Sequence, residues 1–518
     1  MTLIARHNDL KALSRWHTGR SNRAGLLILY GRPRTGKHAL VREWLRRLRR
    51  PPALYWVPPL GNAFQQHRDL CDALNAVASA HGLPSKSWTF SDRYVDWAQP
   101  FQFMDELASK AGDTTLFIFD HFERCGDQDV RTGAHAIWGF KSTWDLQLQH
   151  NPNVRIVLMS SHTDWVVNNI LSYSAPLYGR ATAHFDLRPM RYDQLQPFLP
   201  YWTPEDRIAA YALTGGVAGY LTQLVPCRTF RHALREVILV DGSDFVMDAD
   251  NLLQTYAPDT ALAATLVSTL ARAAGGTLGW EATRGVLKLG PKAFRHLLLR
   301  MGWLGWVKAE YPLLGAPLEK YAKLVFADSF LHFYLSIIAP NLARVRQGRT
   351  QAAVADVLER TPEFIQLHTF KHVCREWLGL ATATGQLDLW PDSFGTFDMQ
   401  AGSAPPSHAV DAHSAPEMAQ ALNVSAVDKS HAKAFLGAAY WRQTKTAAQV
   451  ERLLQDFTGA SQAALEQAPV ISGAWQGQYG VFVAGPVSDR IKARAARAGV
   501  RLVDLTQLEH DLLAHPRA

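Results

Sequence analysis

Short, almost wholly apolar runs alternate with longer amphipathic segments through the first part of this chain. The runs are LLILY at 26–30, ALYWVPP at 53–59, TTLFIFD at 114–120 and VRIVLMSSH at 154–162. Each is too short for a helix and too uniformly apolar for a strand with one wet face, so each predicts a strand buried on both sides. Helical spacing is read between them: IARHNDLKALSRW before the first run, LVREWLRRLRR after it, then 65–80 and 100–110. The basic helix ends at Pro51 and Pro52, which cannot extend it. Strands alternating with helices predict an α/β core on a parallel sheet.

The punctuation between the first strand and its helix carries chemistry. GRPRTGK at 31–37 satisfies the phosphate-loop pattern GxxxxGK, with a strand before it and a helix after. Gly31 and Gly36 permit backbone angles closed to other residues. The loop can then turn its N–H groups inward toward an anion at the helix N-terminus. The expected nucleotide contacts are Gly31, Arg32, Pro33, Arg34, Thr35, Gly36, Lys37, His38 and Ala39, with Lys37 as a point charge on the β- and γ-phosphates. One position departs from the pattern. A Ser or Thr should follow the lysine to ligate Mg²⁺, and His38 stands there. Imidazole is a poor ligand for a hard cation that prefers oxygen. The loop is therefore expected to hold ATP phosphates, with its use of Mg²⁺ left open.

Asp120 ends the third apolar run, where a nucleoside triphosphatase places its second metal-site group; the plainer alternative is a helix cap. The next residue is His121, and Glu123 is placed to orient a water only if the backbone turns it inward. Ser160, Ser161 and His162 at the exit of the fourth run read either as γ-phosphate contacts or as turn caps.

Composition narrows the setting more than the chemistry. With 518 residues the chain is too long for one core. Its formal net charge of +8 permits nucleic acid as a partner without arguing for it. Cys71, Cys125, Cys227 and Cys374 lie far apart with no CxxC pair, so neither a zinc site nor a disulfide framework is suggested. No run has the length of a membrane span, and the first twenty residues lack the apolar core of a signal peptide, so the expected compartment is a reducing cytoplasm.

The order of several stretches resembles one family. IARHNDLKAL, LYGRPRTGK, TLFIFDHFE, STWDLQL, SAPLYGRATAHFDLRPM, YALTGGVAGYL and YAKLVFADSFLHFYLSIIAPN are together similar to the archaeal-type ATPases, a branch of the STAND group of P-loop NTPases related to AAA+ proteins. The resemblance implies phosphate contacts from the 31–37 loop, a catalytic and metal-site role for Asp120, and an arginine-finger or sensor role for Arg180, whose alternative is a structural ion pair. It places the water-orienting glutamate where His121 stands, leaving Glu123 as the substitute, and Ala218 where the family's GGVPxYL motif has proline.

The resemblance extends to the domains beyond the core. A helical lid is expected over 189–245 after the core at 1–188, then a winged-helix domain over 250–340. There Leu297, Leu298, Met301 and Leu304 mark the apolar face of a third helix, and Lys292, Arg295 and Arg300 face outward; packing on the core is preferred to groove binding. From 341 to 518 the chain resembles a restriction-endonuclease-like PD-(D/E)XK domain. Asp411 matches that fold's first acid, while Ala438 and Tyr440 replace its Glu and Lys, so no nuclease activity is expected. The reading is an ATP-binding regulatory P-loop protein with weak or no hydrolysis, open to double-stranded DNA and to protein partners or self-association. A working ATPase and a scaffold that has lost nucleotide remain as alternatives.

Overall fold

The computed structural model describes residues 5–19, 21–48, 53–90, 95–125, 136–257, 260–314, 318–397, 422–441 and 475–515, with six single positions between 454 and 466. The chain forms two compact units, Met1–Pro189 and Met190–Ala518. No helix among the described residues is long and apolar enough to cross a membrane. All four cysteines are buried and none is in a disulfide.

The first unit runs α1 (His7–Thr18), β1 (Gly25–Tyr30), α2 (Lys37–Leu48), β2 (Leu54–Trp56), α3 (Ala63–Ala80), α4 (Ala98–Ala111), β3 (Thr115–Phe119), α5 (Ala136–Leu146), β4 (Val154–Ser160) and β5 (Ala183–Asp186). The expected strands are present, and every pair is parallel in the order β2-β3-β4-β1-β5. The apolar runs are apolar because both faces are covered. Leu27 and Leu29 of β1 pack with Leu10, Leu13, Leu40, Val41 and Trp44 from α1 and α2. Leu26 and Ile28 pack on the other side with Leu70, Leu74, Phe101 and Met104 from α3 and α4. Parallel register brings the carboxyl ends of β1, β3 and β4 to one edge, with Tyr30 opposite Ser160 and Phe119 opposite Leu158.

In the second unit, helices Pro204–Thr214 and Ala218–Leu224 are joined through Gly215 and Gly216, both with positive φ. Helices Thr260–Arg272, Trp280–Leu287 and Pro291–Trp303 accompany a three-stranded antiparallel sheet of order β6-β8-β7, made of β6 (Thr277–Gly279), β7 (Val307–Glu310) and β8 (Lys323–Phe326). The buried stripe of the Pro291–Trp303 helix is Phe294, Leu297 and Met301, followed by Leu304. Leu298, expected on that face, is only half-buried, at the edge of a stripe centred on Phe294, Leu297 and Met301.

The last sheet, in the order β13-β12-β11-β10-β9, comprises β9 (Ser393–Gly395), β10 (Ser425–Asp428), β11 (Lys433–Tyr440), β12 (Gln476–Val483) and β13 (Val500–Asp504). It is antiparallel from β9 to β11 and parallel from β11 to β13. Ala438 lies buried in the apolar cluster of β11, beside Val481 on β12. Asp411 lies outside the described residues.

Candidate functional site: the loop between β1 and α2

The loop leaves β1 at Tyr30 and enters α2 at Lys37. Three of its residues take positive φ: Gly31 at 144°, Arg34 at 64° and Gly36 at 98°. Gly31 is held by space as well as by torsion. A Cβ there would stand 2.5 Å from the Leu187 carbonyl oxygen, just beyond β5. Arg34 accepts a left-handed conformation that costs a residue with a Cβ about 1–2 kcal/mol. Thr35 is fully buried, and its hydroxyl donates to the Arg32 carbonyl at 2.9 Å. The first turn of α2, with His38 and Ala39, closes when the Leu40 N–H donates to the Gly36 carbonyl at 2.9 Å. Pro33 occupies the loop between these contacts. Backbone turned through such alternating torsions, at the N-terminus of a helix, forms an anion-binding concavity.

Lys37 lies inside that concavity. Its ammonium donates to the carbonyls of Gly31 at 2.7 Å and Arg32 at 3.1 Å. Burial pushes its pKa down to about 8, against the opposing pull of the Glu123 and Asp120 charges.

Arg6 belongs to the site although no motif marks it. One guanidinium nitrogen donates to the Thr35 carbonyl at 3.1 Å and to the Arg188 carbonyl at 2.7 Å. It thereby staples the phosphate loop to the segment after β5. The only signal in the sequence is an arginine before α1 in a stretch shared with the family, which does not reveal what it holds.

The acidic side of the site comes from the end of β3. The Asp120 N–H donates to the Trp56 carbonyl on β2 at 2.8 Å, which fixes the carboxyl end of the strand. The Asp120 carboxylate, 2% exposed, accepts from the His121 N–H at 2.9 Å and the Tyr55 hydroxyl at 3.0 Å. It also pairs with His38 Nε2. Burial works to raise the Asp120 carboxyl, but these partners, His38 first, hold it below the ordinary value. The same hydrogen bond raises His38. Tyr55 is raised by burial and by the Asp120 charge.

His121 itself is left-handed, at φ 53°. That turn brings its Nδ1 to 3.0 Å from Glu123 Oε1. Glu123 is buried, as any role in the site requires, and its Oε2 has no hydrogen-bond partner among the described residues. Burial opposes ionisation of Glu123, yet the His121 hydrogen bond keeps its pKa below the ordinary value. The structure thus brings Lys37, His38, Asp120, His121 and Glu123 together.

Arg180 is placed differently. Its guanidinium forks onto Asp145 of α5, with both N···O distances 2.7 Å, and also donates to the Tyr178 carbonyl. At the exit of β4, the Ser160 hydroxyl caps the His162 N–H at 3.0 Å. Among the described residues, the side chains grouped closely enough to share an ion are two imidazoles and a carboxylate, those of His38, His121 and Asp120. This set does not fit Mg²⁺, which demands oxygen ligands in octahedral array.

Residues 3–224 match the family model described as an ATPase domain predominantly from Archaea. An uncharacterised protein of Methanocaldococcus jannaschii is 21% identical over 377 residues, spanning 72% of this chain and 77% of its own length. Among solved structures, the ORC2 protein of Aeropyrum pernix in ADPNP–ADP complexes is similar at TM-score 0.40 and 14% identity. That likeness covers 68% of this chain and 95% of the other. Cdc6p of Pyrobaculum aerophilum is similar at TM-score 0.31 and 14% identity, over 67% and 95% of the two chains.

Proposed function

We propose, from a chain whose residues 3–224 carry the archaeal-type ATPase domain, that this protein binds ATP and hydrolyses it slowly or not at all. The observation that carries the reading is the direct pairing of His38 with Asp120. The residue that should supply a hydroxyl to Mg²⁺ instead contacts the carboxylate that should hold the same ion. Without that ion the charge developing on a transferred phosphoryl group loses its main stabiliser. Binding is a separate matter. The inward-turned backbone, the N-terminus of α2 and Lys37 supply positive potential for the phosphates whatever the metal does.

Glu123 supports a second reading, an active ATPase. It is buried, has an oxygen without a hydrogen-bond partner among the described residues, and is oriented by His121, as a group that positions water would be. A phosphate-release assay with Mg²⁺ separates the two. The first reading predicts no release above that of a Lys37→Ala variant. Metal-dependent release that Lys37→Ala and Glu123→Gln both abolish would establish the second. For Arg180, the fork on Asp145 supports the structural ion pair over a finger role.

The three helices and small antiparallel sheet over 260–326 support a winged-helix reading for 250–340. Arg295 is engaged with Glu319, which favours packing over groove binding. The mixed sheet after 390 supports a nuclease-like fold. With Ala438 and Tyr440 at the positions of its metal-site Glu and Lys, no phosphodiester cleavage is expected. Association with double-stranded DNA, and a reducing cytoplasmic setting suited to four cysteines outside any disulfide, complete the proposal. A salt-dependent mobility shift with duplex DNA tests the former.

A further inference from the structure

The same replacements that disqualify Mg²⁺ assemble a different donor set. Ligand atoms of His38, Asp120 and His121 all lie within 4.8 Å of one another. Two imidazole nitrogens and a carboxylate oxygen suit zinc-class first-row metals, which accept nitrogen readily. Three details of the surroundings go beyond proximity. His121 Nδ1 is hydrogen-bonded to the Glu123 carboxylate, so that nitrogen holds the proton and Nε2 presents its lone pair. A carboxylate behind a histidine is the arrangement that orients metal-bound imidazoles. His121 is also held in the left-handed region, a strained backbone that persists where the surroundings demand it. The Asp120 carboxylate is fixed by the His121 N–H and the Tyr55 hydroxyl, so it needs no reorganisation to serve as a ligand.

We propose that His38, Asp120 and His121 bind a divalent metal of the zinc class, with Glu123 positioning His121 and one coordination place left open to water or a phosphate oxygen. The ion replaces the proton between His38 Nε2 and Asp120. A tetrahedral ion about 2.0–2.1 Å from each ligand separates its donor atoms by roughly 3.4 Å, so His38 must swing outward a little. Its side chain is 62% exposed and free to do so. The inference concerns the pocket of the nucleotide reading but does not require nucleotide, and the two fail separately.

The test uses the full chain, stripped with chelator and without nucleotide, titrated with Co²⁺ and followed by visible absorption, then back-titrated with Zn²⁺. The expected result is one equivalent of Co²⁺ with the intense bands of four-coordination, displaced by Zn²⁺. His38→Ser and His121→Ala should each weaken binding at least about tenfold, and Glu123→Gln by roughly 10–100-fold without touching a ligand. Thermal melts of the metal-free variants, with midpoints close to the parent, show that the fold is retained. Binding that is absent, that stays pale and six-coordinate, or that is indifferent to His38→Ser and His121→Ala would overturn the proposal. Because no nucleotide is present, that result would leave ATP binding standing.

Discussion

Lys37 and His38 stand side by side at the start of α2 and face different tasks. Lys37 folds into the loop and donates to its carbonyls, while His38 reaches across to Asp120. The first is the phosphate-binding half of the motif and the second is its altered metal half. Arg6 is the residue that makes the loop a fixed object, since one nitrogen bridges the Thr35 and Arg188 carbonyls. Removing it in Arg6→Ala leaves two carbonyls without their donor, at a cost of about 1–3 kcal/mol. ATP affinity should fall on the order of fivefold if about 1 kcal/mol of that is felt by the loop. Paired thermal melts and nucleotide titrations check both numbers, and unchanged affinity would show that the staple does not shape the cradle. At this scale the sequence is legible where a pattern fixes spacing, as in Gly31 to Lys37, and for Asp120 at a strand end. It is silent on Arg6, because a residue that satisfies distant carbonyls leaves no local signature. The pairing of His38 with Asp120 is equally hidden, since it joins the segments that follow β1 and β3, strands separated by β4 in the sheet.

Among the elements, β4 decides the site by lying between β1 and β3. An apolar run predicts a buried strand but not its neighbours, so the order β2-β3-β4-β1-β5 cannot be read from periodicity. The joint at Gly215 and Gly216 shows the converse, a local motif with a spatial cause. A Cβ on Gly216 would sit 2.0 Å from the Met190 carbonyl oxygen, at φ 73°, while the Met190 N–H donates to the Gly216 carbonyl at 2.7 Å. Gly216→Ala should therefore destabilise the second unit by about 2–4 kcal/mol, read as a lowered melting transition. An unchanged melt would mean that the Met190 segment yields at little cost. Ala218, where the resemblance implies proline, opens the next helix at its first turn, a place where either residue is accommodated. The stretch PKAFRHLLLRMGWLGWVKAE, read as a third helix running into a hairpin, is helical over Pro291–Trp303. Its buried face differs from the expected one by a single position, because Phe294 and not Leu298 completes the stripe.

Over the whole molecule, long-range polar contacts tie together segments that the sequence shows as separate. In the second unit Glu376 accepts from the Tyr211 hydroxyl at 2.9 Å and the Tyr192 N–H at 3.0 Å, and burial pushes its carboxyl up to about 7. A carboxyl whose folded pKa is raised contributes stability that is full below its unfolded value and is lost as pH rises through the folded one. Stability should thus decline between about pH 4.5 and 7, by on the order of 3 kcal/mol for a shift of this size. Denaturant unfolding across that window should show the slope, and Glu376→Gln should flatten it; an equal slope in both would assign it elsewhere. Nothing in the sequence announces this, since the contacts of Glu376 span 165 and 184 residues. The central claim, a phosphate cradle that works without its usual metal, is met most directly by titrating the full chain with a fluorescent ATP analogue in excess EDTA, beside a Lys37→Met variant. The account predicts saturable binding in EDTA that weakens at least about tenfold in the variant, the loss of a charge-assisted contact. No binding in EDTA, or equal binding by the two proteins, would contradict it.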